Sequence, residues 1–236
     1  MNELIVRFAD LNIKIHTNYD YMYKLCKDYI VDTDEYDFDV YPEEDYKYLV
    51  EDELKYSEGY YESISIYKEI GKKLPLYNAF IMHGAVITYQ DKALMFTAKS
   101  GTGKSTHIKL WKKYFKNDVD IINGDKPIVR VFEDGIKVYG TPYSGKEFWH
   151  KNRSSFLHSI CIVQRSNENK ILKISSEAAM IPLLRQVFVS TDCEESAGKT
   201  LELFNQLITS IPIYVLQCDI SQEAVETAYK GMLNHE

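Results

Sequence analysis

Near the middle of this 236-residue chain, Ala98-Lys99-Ser100-Gly101-Thr102-Gly103-Lys104-Ser105-Thr106 sets small residues, a lysine and hydroxyls in a spacing suited to polyphosphate chemistry. Gly101 and Gly103 let backbone N–H groups converge on phosphate oxygens with no Cβ in the way. A helix opening at Lys104 adds its positive N-terminal end. Lys104 is placed to reach between the β- and γ-phosphates, and Ser105 to set its hydroxyl on Mg²⁺. The expected nucleotide-binding residues are therefore Ser100, Gly101, Thr102, Gly103, Lys104, Ser105 and Thr106, with ATP or GTP and Mg²⁺ as ligands. Lys99 faces solvent in this reading. Ala98 stands at the first position of Gly-x-x-x-x-Gly-Lys-Ser/Thr, where it is the mildest replacement for glycine.

An acidic partner follows about twenty residues downstream, in Val119-Asp120-Ile121-Ile122-Asn123-Gly124-Asp125. Asp125, at the end of the apolar run, is suited to hold the metal or its water and to accept a hydroxyl proton. Asn123-Gly124-Asp125 ahead of Pro127 also reads as a plain polar turn. Upstream, His83-Gly84 is commonly a hydrogen-bonded structural pair, yet a histidine can also orient a carboxylate or contact a γ-phosphate near neutral pH. The expected catalytic set is Asp125, His83 and Lys104, with Ser105 and Asp125 as metal ligands. Gly140-Thr141-Pro142-Tyr143-Ser144-Gly145-Lys146-Glu147 adds secondary candidates. Lys146 suits a transferring phosphoryl group and Glu147 a metal site, although the segment equally reads as a charged hairpin end. Arg153 is a further candidate for transition-state charge, against the commoner fate of a solvated or locally paired arginine.

These residues need elements to hold them. Ala85–Tyr89 and Ala93–Thr97 form an expected hairpin around Gln90-Asp91-Lys92, and its second strand feeds the loop. Lys104–Phe115 reads as a helix with Ile108, Leu110, Trp111 and Phe115 on its apolar side. Val119–Ile122 is a short buried strand. Ile128–Phe132 and Ile136–Tyr139 flank the turn Glu133-Asp134-Gly135. Phe156–Val163 and Ile171–Ile174 read as a further pair around Asn167-Glu168-Asn169. Ser176–Val189 and Glu195–Ser210 are expected helices, Ile213–Gln217 a strand, and Ser221–Leu233 a closing helix with a serine cap. So many hairpins beside a phosphate loop predict a mixed sheet. Before them, Leu4–Phe8 and Leu11–His16 read as strands joined at Asp10-Leu11-Asn12, Tyr19–Ile30 as a short helix, and Tyr60–Ile70 as a strand with one wet face.

Composition changes near Pro75. Thirteen of the nineteen tyrosines precede residue 78, and residues 32–62 carry thirteen Asp or Glu against Lys47 and Lys55. That block holds −11 of a net −7, leaving about +4 elsewhere, a balance that suits a domain handling phosphates. We expect a small acidic, Tyr-rich α+β region over 1–75 and a nucleotide-binding α/β domain over 76–236. The acidic region suits a basic peptide or partner, or simply a solvated face with aromatics over a small sheet. No basic stripe with interleaved aromatics points to nucleic acid. No apolar run approaches the ~20 residues of a membrane span, and the N-terminus lacks a signal-peptide pattern. Four separated cysteines read as reduced core thiols, so the expectation is a cytoplasmic protein.

The stretch His83-Gly84-Ala85-Val86-Ile87, Ala93–Thr97, Ser100–Thr106 and Ile121–Asp125 resembles the HPr serine kinase/phosphorylase family, which shares its fold with phosphoenolpyruvate carboxykinase. The resemblance covers about residues 79–126. It implies that His83 matches the family's histidine, Lys104 and Ser105 its loop residues, and Asp125 the catalytic member of an acidic pair. The first member of that pair is Gly124 here. The family's Glu-x-Arg-Gly metal segment has no counterpart. The Gly140–Glu147 segment is similar to divergent HPr-kinase-like proteins of ribosomal-peptide clusters, including kinases of lasso-peptide precursors. The implied activity is transfer of a phosphoryl group to a serine-type hydroxyl on a peptide, protein or small molecule. A carboxykinase-like or phosphorylase activity is a second enzymatic reading; a carboxykinase would need metal-binding His and Lys residues and a substrate arginine cluster, which the sequence lacks, and a nucleotide-responsive regulator or maturation protein is the non-catalytic alternative. A homo-oligomer stays open.

Overall fold

The computed structural model describes residues 1–44, 56–99 and 101–233. The chain forms a mixed α/β structure built on a nine-stranded sheet and a separate three-stranded one. In the small sheet, β1 (Asn2–Phe8) and β2 (Leu11–Thr17) pair antiparallel and β3 (Phe38–Val40) joins β2 in parallel. Their turn is tighter than the sequence suggests: Ala9 and Asp10 both take left-handed φ, which twists the hairpin correctly. Helix α1 covers only Tyr21–Leu25, a fraction of the expected 19–30 helix.

The largest departure is residues 60–70, which are helical within α2 (Glu58–Lys73) rather than a strand. Ser57 caps it by accepting from the Tyr60 N–H. The alternation Ile64, Ile66 misleads because the buried residues include Gly59, Ser63, Ile66, Tyr67 and Ile70, a three-to-four spacing partly carried by small residues. Glu62, also on that face, is fully buried and accepts from Thr17 Oγ1 (2.5 Å) and from Asn18 N and Nδ2 (2.8 and 2.9 Å). Ile66, Ile70 and Leu74 join Val6, Ile13 and Ile15 in one core that continues into Ala79, Ile81 and Ile128.

The large sheet runs β4 (Ala79–Ile81), β8 (Ile128–Phe132), β9 (Gly135–Tyr139), β10 (Ser154–Arg165), β6 (Lys92–Thr97), β5 (Ala85–Tyr89), β7 (Val119–Asn123). Long β10 joins its two parts: its first residues pair antiparallel with β9, and its later half lies parallel to both β6 and β12 (Ile213–Cys218). The expected pairing of β10 with β11 (Lys170–Ile174) does not occur, because β12 lies between them, antiparallel to β11. Strands β5 and β6 are buried on both faces. Ile87, Leu94 and Phe96 pack with α3 (Lys104–Phe115) and α6 (Gln222–Leu233), while Val86, Ala93 and Met95 meet α4 (Ser176–Leu184) and α5 (Glu194–Ser210). Two-sided burial explains why these strands read as continuous apolar runs.

Helix α4 ends five residues before the expected Val189. Pro182 withholds an N–H from its last turn, and the segment beyond bonds to the sheet instead: Phe188 N to Ile81 O (3.0 Å) and His83 N to Gln186 O (2.7 Å). Among the described residues no helix is long and apolar enough to cross a membrane.

Candidate active site

The loop after β6 carries the residues expected to hold phosphate. Gly101 and Gly103 take φ of +77° and +116°, and a Cβ at either would touch nothing within 4 Å, so backbone conformation dictates glycine here rather than space. Gly103 is the N-terminal boundary of α3, whose Lys104–Phe115 span matches the sequence expectation. Thr102, Ser105 and Thr106 are half-buried around this turn, and Ser100 lies outside the described residues. Arg165, from the end of β10, donates to Gly101 O at 3.2 Å. Beside the loop lies a cavity of about 730 Å³, lined by Thr97, Gly101, Thr102, Arg165, Arg185 and Gln186, among others.

Three chain segments bring His83, Lys104 and Asp125 together. Residues 82–84 lie between 125–127 and 186–188: Gly84 N donates to Asp125 O (2.8 Å) and Met82 N to Pro127 O (3.3 Å), while His83 N takes Gln186 O. Thr97 Oγ1, at the mouth of the loop, donates to His83 O (2.9 Å). The imidazole Nε2 lies 3.0 Å from Asp125 Oδ1, and Nδ1 lies 3.0 Å from Gln186 Oε1. Lys104 Nζ reaches both Asp125 Oδ1 (3.3 Å) and His83 Nε2 (3.2 Å). With Gln186 as acceptor, Nδ1 carries a proton; Nε2 then either accepts from Lys104 or, protonated, donates to Asp125. The proton between them can thus sit on Lys104 or on His83, with Asp125 as the acceptor.

Burial by itself would raise the Asp125 carboxyl, but the His83 hydrogen bond and the Lys104, His83 and Lys126 charges outweigh it and hold it at about 2. At Lys104 the balance is reversed. Its side chain is 11% exposed against 27% for Asp125, so desolvation lowers its pKa despite the attraction of Asp125. The depressed carboxyl has a stability consequence. From an ordinary value of 3.8, the ionised Asp125 stabilises the fold above about pH 4, and that contribution disappears as pH falls toward 2. Denaturant midpoints measured between pH 5 and pH 2 are expected to fall more steeply in the wild type than in Asp125→Asn; parallel curves would show that the cluster does not act this way.

The Asp125 loop is itself fixed from below. Buried Asn123 accepts from Asp125 N and Lys126 N (both 2.8 Å) and donates to Thr141 O (2.9 Å). Lys126 O accepts from Thr141 Oγ1 and from Tyr67 Oη of α2 (both 2.8 Å). Tyr143 stacks on Tyr67, with ring centroids 3.8 Å apart. The Gly140–Gly145 part of the later segment therefore packs on the loop, and this explains Gly124. A Cβ there would lie 2.8 Å from Ser144 O and 3.4 Å from Trp149 Cβ. Gly124→Asp, which adds a second carboxylate, is expected to cost about 1–3 kcal/mol of stability; an unchanged melting temperature would refute the steric reading.

The remaining candidates make no hydrogen bond to His83, Lys104 or Asp125, although Gly145, just before Lys146, lies against Asp125: a Cβ there would come within 3.1 Å of Asp125 Cβ. Lys146 is exposed, and Glu147 pairs with Lys109 of α3 (3.0 Å). Arg153 pairs with Asp120 (3.2 Å), at the opposite end of β7 from Asp125. Among the described residues no three His, Cys, Asp or Glu side chains group together as a metal site. Sequence reasoning missed Gln186, Thr97 and Tyr67. Asn123 alone left a local signal, since Asn and Asp caps of this kind are frequent in Asn-Gly turns.

No protein-family model matches this sequence, and no curated protein does. A solved structure of the HPr(Ser) kinase/phosphatase from Coxiella burnetii is similar over 64% of this chain and 92% of its own, at 7% sequence identity and a TM-score of 0.36. Likeness this distant assigns no role to any residue.

Proposed function

We propose that the protein is a phosphotransferase of the HPr-kinase type, moving the γ-phosphoryl group of ATP or GTP to a hydroxyl on a peptide, protein or small molecule. The observation that carries this reading is the convergence of His83, Lys104 and Asp125, from three separate segments, at the start of the helix that the glycine loop opens. Lys104 and the α3 N-terminus bind the phosphates. The acceptor oxygen attacks the γ-phosphorus as the bond to the β–γ bridging oxygen breaks, and the hydroxyl proton passes to Asp125. A carboxyl held at about 2 is a weak base. Moving Lys104 from Asp125 onto a bound phosphate removes one of the charges that depress it.

Mg²⁺ fits the donor set: the Ser105 hydroxyl and the Asp125 carboxylate are hard oxygen ligands. So small a protein contribution suits an ion that brings waters and substrate phosphates with it. Bound there, it would neutralise charge on the phosphates. The second reading is a nucleotide-responsive regulator without turnover, favoured by the small protein contribution to the metal site, since no three His, Cys, Asp or Glu side chains group together among the described residues. Incubation with γ-labelled ATP, Mg²⁺ and a panel of hydroxyl-bearing peptides and small molecules separates the two. Acceptor-dependent transfer is expected; tight nucleotide binding with no transfer across the panel supports the regulator.

A further inference from the structure

A second cavity, of about 340 Å³, adjoins His83. Arg185 and Gln186 line both this cavity and the larger one beside the glycine loop, so the two meet at the wall that holds the imidazole. Its apolar lining comes from Ile64 and Tyr67 of α2, Tyr143, and Phe188 of the segment after α4. Tyr67 and Tyr143 are stacked with their planes 14° apart, a flat surface suited to a ring or a branched apolar group. The charge of the lining has one sign. Lys126, Arg185 and Lys68 contribute, and no Asp or Glu among the described residues does. Lys68 is engaged by Glu43 at 2.7 Å. Among the described residues the Lys126 ammonium and the Arg185 guanidinium have no ion pair, and both are exposed at the rim.

We propose that this cavity binds the acceptor, and that the acceptor is a small organic acid with an apolar or aromatic body. The volume lies at the low end for a small-molecule site and suits a body of about one large side chain. Unpaired cations beside a nonpolar wall select an anion attached to that body, because a neutral analogue leaves them without a partner while gaining the same apolar contact. Lys126 follows Asp125 directly in the chain, so an anion held by its side chain sets the rest of the molecule beside the His83–Asp125 pair. Calling the ligand an acceptor rests on the phosphotransfer reading; the selectivity of the cavity does not.

The test is a titration of the intact protein with 3-phenylpropanoate and with its neutral amide, followed by NMR chemical shifts. The acid is expected to saturate and the amide to bind at least tenfold more weakly. Lys126→Met removes most of that difference, and Phe188→Ala weakens both probes. Equal affinities, no saturable binding of the acid, or full selectivity surviving in Lys126→Met would overturn the assignment. Mg-ATP is titrated into the same wild-type sample. Failure of the nucleotide to bind sinks the phosphotransfer reading, while the acid–amide comparison still decides the cavity.

Discussion

Asp125→Asn is expected to reduce phosphoryl transfer by about 10²–10⁴-fold, the usual contribution of a positioned general base, while Mg-nucleotide affinity changes by only a few-fold. The two effects separate because of how Asp125 is held. Its carboxylate shares Oδ1 between His83 and Lys104, so the isosteric amide keeps the loop capped by Asn123 but takes no proton. It also releases Lys104 from an ion pair that competes with phosphate. Retained affinity with lost turnover, read by calorimetry and by single-turnover label transfer, is the expected signature. Undiminished transfer removes Asp125 from the base role.

Lys104→Ala has the opposite signature. A charge-assisted contact to phosphate contributes about 1.5–3 kcal/mol, so nucleotide affinity should fall by roughly 10- to 100-fold. A second effect follows from the apo geometry. Lys104 is among the charges holding the Asp125 carboxyl at about 2; without it that pKa rises toward the ordinary range, and the His83 hydrogen bond keeps it from returning fully. Carboxyl carbon shifts followed against pH read this directly. Unchanged nucleotide affinity would mean that the loop is only a helix cap.

Much of the scaffold around this site was legible in the sequence because its signals are local. The 104–115 helix announces itself through Ile108 and Trp111 at helical spacing. The β5–β6 and β8–β9 hairpins do so through turns whose residues tolerate positive φ, such as Asp91 and Gly135. The failures share a physical cause: tertiary partners decide them. Residues 60–70 carry β-branched isoleucines, yet Gly59 packs close to Tyr21 and buried Glu62 ties the helix to Asn18, contacts invisible to a short window. The position of β12 between β10 and β11 depends on a strand some forty residues later in the chain. Gln186 had no signal at all, because its role arises only when the segment after Pro182 leaves the helix and docks on residues 81–83. At the site, Lys104 and Asp125 stand out by the spacing of the glycine loop and the strand after it, and His83 by the family resemblance; the fold brings these three together, whereas Glu147 and Arg153 pair with Lys109 and Asp120.

Phosphotransfer requires that the loop at 98–106 bind a polyphosphate as its magnesium complex. Calorimetric titration of the wild-type protein with ATP and with AMP, each with Mg²⁺ and with EDTA, tests it most directly. Because the contacts are made to the β- and γ-phosphates, ATP with Mg²⁺ should bind at least about a hundredfold more tightly than AMP, a difference of roughly 2.7 kcal/mol, and EDTA should weaken ATP but not AMP. Equal affinity for the two nucleotides, or no binding of ATP at millimolar concentration, would contradict it.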